Sequence, residues 1–197
     1  FGEEYTLVAI ADYVLSKTPG NTVSNMSSSR ALRDITNKHK GSYQASAVGE
    51  VNVVELMKKT NAIIGGEGNG GIIYPELHYG RDSLVGVALF LTYLANQEKT
   101  VAELRASYPQ YYMSKNKIEL TPQIDVDAIL VAMTEKYKNE EINTIDGVKI
   151  DFATEWVHLR KSNTEPIIRI YTEAPTQAEA DKLAFRIIDE IKAVAGI

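Results

Sequence analysis

The chain has no cysteine, which removes disulfides, thiolate nucleophiles and cysteine-held zinc together. Its three histidines, His39, His78 and His158, stand far apart without H-E-x-x-H spacing, so no metal site is indicated. No apolar run reaches the length of a membrane span, and no secretory leader is visible. Asn25-Met26-Ser27 matches a glycosylation sequon, but nothing else points to secretion, and the cytoplasm is the expected compartment. There is no long basic run either. With 21 Lys and Arg against 26 Asp and Glu, the net charge of −5 argues against a nucleic-acid surface.

What is present is ordinary for a globular chain: 197 residues, 44% apolar and 24% charged. That length buries a core as one large or two small domains. The first residue is Phe1 rather than methionine and helical periodicity begins almost at once, so the chain reads as a piece of a longer protein.

Apolar residues recur at helical spacing through Leu7, Ile10, Ala11, Val14 and Leu15, and Pro19-Gly20 ends that helix. Strands are expected over 22–26 and 43–48, and helices over 30–40 and 51–59. A strand over 62–64 then feeds a glycine-rich stretch. A strongly apolar helix over 83–97 is expected to be buried on most sides. The alternation favours a mixed, mostly parallel sheet with flanking helices, an α/β domain. From about residue 107 the pattern changes to a small α+β domain, summarised as β-α-β-β-β-α. Thr100 and Thr176, each with Glu at the third following position, read as capping boxes. Asp146-Gly147 reads as a hairpin turn.

The glycine-rich stretch is Gly65-Gly66-Glu67-Gly68-Asn69-Gly70-Gly71. Gly66, Gly68 and Gly71 satisfy G-x-G-x-x-G, but Ile72-Ile73-Tyr74-Pro75 follows where a dinucleotide site needs a helix. What the loop displays is a carboxylate, Glu67, and an amide, Asn69, groups suited to sugar hydroxyls. A second polar loop, Arg160-Lys161-Ser162-Asn163-Thr164, gathers cations, hydroxyls and an amide between two strands, with Arg169 on the next one. Such a set either cradles an anion or forms a solvated hairpin.

Together, Gly66-Glu67-Gly68-Asn69-Gly70-Gly71, His78-Tyr79-Gly80-Arg81-Asp82 and Arg160-Lys161-Ser162-Asn163-Thr164-Glu165-Pro166 resemble the α-D-phosphohexomutase superfamily of phosphoglucomutases, phosphomannomutases and phosphoglucosamine mutases. The resemblance covers the whole chain but only the third and fourth of that family's four domains, residues 1–106 and 107–197. It implies that Glu67, Gly68, Asn69 and Arg81 bind the sugar, with Asn69 in place of a serine and Gly71 in place of a histidine. It implies that Arg160, Ser162, Asn163, Thr164 and Arg169 hold the substrate phosphate, and that Arg30, Glu50 and Tyr79 line the cleft. The family's phosphoserine loop and aspartate-rich magnesium loop are absent from this sequence. The resemblance therefore implies that Mg2+ belongs to the rest of the enzyme, with no catalytic residue, metal ligand or organic cofactor here. The implied partners are a phosphorylated hexose and the N-terminal domains of the same polypeptide, with no nucleic acid and no membrane. The resemblance implies a mutase of glucose or mannose phosphates, the alternatives being a phosphoglucosamine mutase of the same family, which these loops do not separate from it, and a non-catalytic phosphosugar-binding module.

Overall fold

The computed structural model describes residues 1–119, 124–162 and 165–196. The chain forms two compact units, Phe1–Gln110 and Tyr111–Ile197.

The first unit runs α1 (Glu3–Lys17), β1 (Asn21–Asn25), α2 (Ala31–Lys38), β2 (Tyr43–Ser46), α3 (Glu50–Thr60), β3 (Ala62–Glu67), β4 (Gly71–Ile73), α4 (Ser83–Gln97) and α5 (Val101–Ala106). Its four-stranded sheet has the order β2-β1-β3-β4, with β1 parallel to β2 and β3, and β4 antiparallel to β3. The expected mixed, mostly parallel sheet with flanking helices is what forms. Val53 and Met57 of α3 pack on Val23, Ala62 and Ile73 of the sheet. Short helices of this kind hold mainly through such burial, about 1.5–3 kcal/mol for each large apolar side chain.

The helix buried on most sides is α1, not α4. Tyr5, Leu7, Val8, Ile10, Ala11, Val14 and Leu15 of α1 are all buried, because α1 touches β3, α2 and α4. In α4 only Gly86 and Tyr93 are buried, and Leu84, Val87 and Leu91 are exposed in this chain. The expectation for residues 83–97 is thus corrected: one face of that helix packs on α1 and the other lacks a partner among the described residues.

Asp12, buried on α1, ties this unit together. It accepts from Lys38 Nζ (3.1 Å), His39 Nε2 (2.6 Å), Tyr93 OH (2.8 Å) and Tyr108 OH (3.2 Å). Burial alone would raise its pKa, but the hydrogen bonds from His39, Tyr93 and Lys38 outweigh it and hold the carboxyl below its ordinary value. Burial beside that carboxylate pushes the Tyr93 hydroxyl up to about 12. A carboxyl depressed in the folded state stabilises fully above its unfolded value, near 3.8. That contribution is lost as pH falls from there through the folded value. Asp12→Ala strands two buried hydroxyl donors, Tyr93 and Tyr108, and urea unfolding at pH 7 is expected to show a loss of about 2–4 kcal/mol. The gap between the two chains should narrow below about pH 4. An unchanged midpoint would show the network to be dispensable.

The second unit runs β5 (Tyr112–Glu119), α6 (Val126–Lys136), β6 (Glu141–Asn143), β7 (Val148–Asp151), β8 (Trp156–Lys161), β9 (Ile167–Ala174) and α7 (Gln177–Ala195). Four strands lie between the helices where the summary string has three; the three-residue edge strand β6 is the first arm of the hairpin expected at Asp146-Gly147. The five-stranded sheet, order β5-β9-β8-β7-β6, is antiparallel throughout. Alternate side chains face opposite ways along a strand. Ile118, Ile150, Val157, Leu159, Ile168 and Ile170 therefore face α6 and α7, where Ile129, Met133, Leu183, Ile187 and Ile191 close the core. By the same alternation Lys115, Lys117, Lys149, His158, Arg160, Arg169 and Tyr171 fall on the other face. Asp125 caps α6 through Ala128 N–H and Thr176 caps α7 through Glu179 N–H, at 3.0 and 3.2 Å.

Candidate functional site

The glycine-rich stretch is a β-hairpin. β3 continues through Gly65 and Gly66 to Glu67 and pairs with β4, Glu67 opposite Gly71. Gly66 permits this: a Cβ there would stand 1.9 Å from the Gly71 carbonyl oxygen. Glu67 is therefore a strand terminus rather than a displayed loop tip. At 6% exposure it is buried, which corrects the expectation of an exposed carboxylate. Its Oε1 accepts from Asn25 Nδ2 (2.9 Å) and Gly49 N (3.3 Å), and its Oε2 lies 3.5 Å from Arg81 Nη1. Asn25 cannot turn its amide round, because its Oδ1 accepts from Ser27 N and Ser28 Oγ, both at 3.0 Å. The same burial makes the Asn25 sequon unusable in the folded unit.

Other candidates gather here in part. Gly68 N donates to Ser28 Oγ at 3.0 Å. Asn69 folds back on its own turn, its Oδ1 accepting Gly71 N at 3.0 Å. Arg81 donates through N and Nε to the two oxygens of Glu50, at 2.9 and 2.8 Å. Those bonds, the backbone one first, hold the Glu50 carboxyl below its usual range. Glu50, Arg81 and Glu67 thus form one chain of charges at the carboxyl end of β3, where open α/β sheets bind ligands. Arg30 is buried in the turn that also carries Ser28. Tyr79 is not in this cluster. Lys58 Nζ lies over its ring at 4.9 Å, and it lines a separate cavity of about 430 Å³ with Tyr13, Tyr74 and Leu89. A carboxylate has about four acceptor positions, and Glu67 keeps capacity for hydroxyl donors beyond its three partners.

In the second unit the strand register brings the basic residues together. Arg160 stands directly opposite Arg169, and Lys117 opposite Arg169 on the other side. Adjacent strands lie about 4.8 Å apart, so the row spans about 10 Å. Like charges directly opposed destabilise a sheet. Each cation here has an acid beside it: Asp146 at 3.7 Å from Arg160, Glu165 at 2.8 Å from Arg169, and Glu119 at 3.6 Å from Lys117. Ser162 is buried, with its N–H on Ile167 O at 3.0 Å. Asn163 and Thr164 lie outside the described residues. Sequence reasoning missed Lys117, Asn25 and Ser28. Alternating lysines at 115 and 117 were a signal for the first, but only the register reveals its neighbour.

The model of phosphoglucomutase/phosphomannomutase alpha/beta/alpha domain III matches residues 2–112, and that of the C-terminal domain of the same enzymes matches residues 95–190. The chain belongs to the phosphohexomutase family and corresponds to its domains III and IV. A phosphoglucosamine/phosphogalactosamine mutase of Sulfurisphaera tokodaii is 37% identical over 174 residues, 87% of this chain and 37% of that protein. A phosphoglucomutase/phosphomannomutase of Thermococcus kodakarensis is 33% identical over 189 residues, 94% of this chain and 41% of that one. The crystal structure of a phosphoglucomutase/phosphomannomutase family protein from Burkholderia thailandensis shares the fold, with a TM-score of 0.79 at 24% identity over 97% of this chain and 41% of that one. The chain thus spans about two-fifths of the length of these relatives. Among the described residues no group of three acidic or histidine side chains is placed to hold a metal ion. The magnesium that the family resemblance implies therefore finds no ligand set there, and no step is assigned to it. No helix among the described residues is long and apolar enough to cross a membrane.

Proposed function

We propose that this chain supplies the sugar-holding and phosphate-holding parts of a phosphohexomutase that interconverts hexose 1-phosphates and hexose 6-phosphates. In the whole enzyme a phosphoserine would donate its phosphate to give a bisphosphorylated sugar, which reorients and returns the other phosphate. The parts supplied here do positioning, which contributes much of the rate in phosphoryl transfer. Glu67, Gly68, Asn69 and Arg81 would take the sugar hydroxyls, with Arg30 and Glu50 at the margins. Arg160, Ser162, Asn163, Thr164 and Arg169 would take the phosphate. The observation that carries this reading is the pairing of Arg160 with Arg169 in the register of β8 and β9, which puts two arginines side by side on one face of the sheet, where an anion would suit them.

These 197 residues contain neither the phosphoserine loop nor the magnesium loop, so by themselves they are expected to bind and not to turn over. A second reading, an amino-sugar phosphate as substrate, is favoured by the Sulfurisphaera relative's name. The test is a coupled assay of the full-length protein with the 1-phosphates of glucose, mannose and glucosamine. Formation of a 6-phosphate supports the proposal, and the fastest substrate decides between the readings. No product from any of the three contradicts it.

A further inference from the structure

The cluster on β8 and β9 includes a carboxylate for which the reading above has no use. Asp146 stands in the turn between β6 and β7, and its Oδ2 lies 3.7 Å from Arg160 Nη1, with both side chains largely covered. Two constraints fix the turn there. His158 Nε2 donates to the Asp146 carbonyl at 2.7 Å. His158 is buried, and burial above all brings its pKa down to about 4, so near neutral pH the ring is an uncharged donor. Gly147, at φ +71°, lies so close over β8 that a Cβ would meet the Leu159 carbonyl oxygen at 2.1 Å. These two contacts hold the backbone of the turn, and with it the point from which the Asp146 side chain reaches Arg160.

A guanidinium is planar, and its donors serve a phosphate only when that plane is aimed. Arg160 is also paired with Arg169 in the strand register, and like charges so placed repel each other. We infer that Asp146 is a positioning residue of the phosphate site: it holds one edge of the Arg160 guanidinium so that the other edge meets the phosphate. His158 and Gly147 fix the turn from which it acts. This rests on the reading of the Arg160 loop as phosphate-holding. The negative charge of Asp146 also repels a phosphate, so the sign of the effect is itself diagnostic.

The test follows inorganic phosphate and glucose 1-phosphate titrated into this chain by phosphorus NMR. Asp146→Asn is expected to weaken binding about 3- to 10-fold in the Arg160 chain and hardly at all in an Arg160→Lys chain, because an ammonium is a point charge with no plane to aim. Asp146→Glu, which restores a carboxylate, should recover part of the loss. Circular dichroism on each variant checks that the unit remains folded, and the Arg160-dependent difference is the readout that a merely structural role would not move. Equal losses in both backgrounds, or tighter binding from Asp146→Asn, overturn the inference. A loss in Arg160→Ala without one in Asp146→Asn overturns it while leaving the phosphate-loop reading intact. Undiminished binding in Arg160→Ala overturns the reading and the inference together.

Discussion

Arg160→Ala is expected to lower kcat/KM of the full-length enzyme for a hexose phosphate roughly 10- to 150-fold, the equivalent of losing a hydrogen-bonded charge worth about 1.5–3 kcal/mol. The reason lies in the strand register. Arg160 and Arg169 are paired residues in the register of β8 and β9, and removing Arg160 leaves Arg169, already engaged by Glu165 at 2.8 Å, as the one guanidinium of the proposed phosphate set. Folding should be little affected, because the core on the other face of the sheet, Leu159 and Ile170 among it, does not include Arg160. Unchanged kinetics with an intact fold would remove Arg160 from the phosphate site.

Glu67 is expected to behave differently, because it is both a candidate ligand and a buried partner. Glu67→Gln keeps an oxygen for Asn25 and Gly49 but turns an amide towards Arg81, which now stands 3.5 Å from a carboxylate oxygen. The expected stability loss is only about 1 kcal/mol, while turnover should fall by at least about 10-fold if the lost charge orders substrate hydroxyls. Glu67→Ala also strands Asn25 Nδ2 in a buried site, and about 2–3 kcal/mol should be lost. Steady-state kinetics beside urea unfolding separate the two roles. Full activity in Glu67→Gln would make the residue structural.

The exposure of Glu67 was misread from sequence for a physical reason. Five glycines around a carboxylate look like a flexible loop, yet two of them, Gly65 and Gly66, belong to β3. Gly65 lies against Val23 O and Met57, so closely that a Cβ would stand 2.7 and 2.6 Å from them. Glycine is there for close packing, and the carboxylate is carried inward with the strand. Helices α1 and α4 posed a related difficulty. Both are apolar, and which is enclosed depends on which lies against β3, a tertiary fact. By contrast, the alternating pattern before residue 107 and the strand-rich pattern after it were legible, because each reflects local periodicity. Arg169 was legible as a strand residue, whereas Arg160, expected in the polar loop, is carried on β8, which runs on to Lys161. Lys117 was not, since its strand is far away in sequence and only pairing with β9 brings it alongside. Asp146 reads in sequence as a turn residue and nothing more. Its approach to Arg160 arises from the pairing of β7 with β8.

The most direct measurement is a calorimetric titration of this chain and of its Arg160→Ala variant with glucose 1-phosphate. Saturable binding to the unaltered chain that disappears in the variant is the predicted result. The same isotherm for both would contradict the assignment of this part of the enzyme to holding the substrate phosphate.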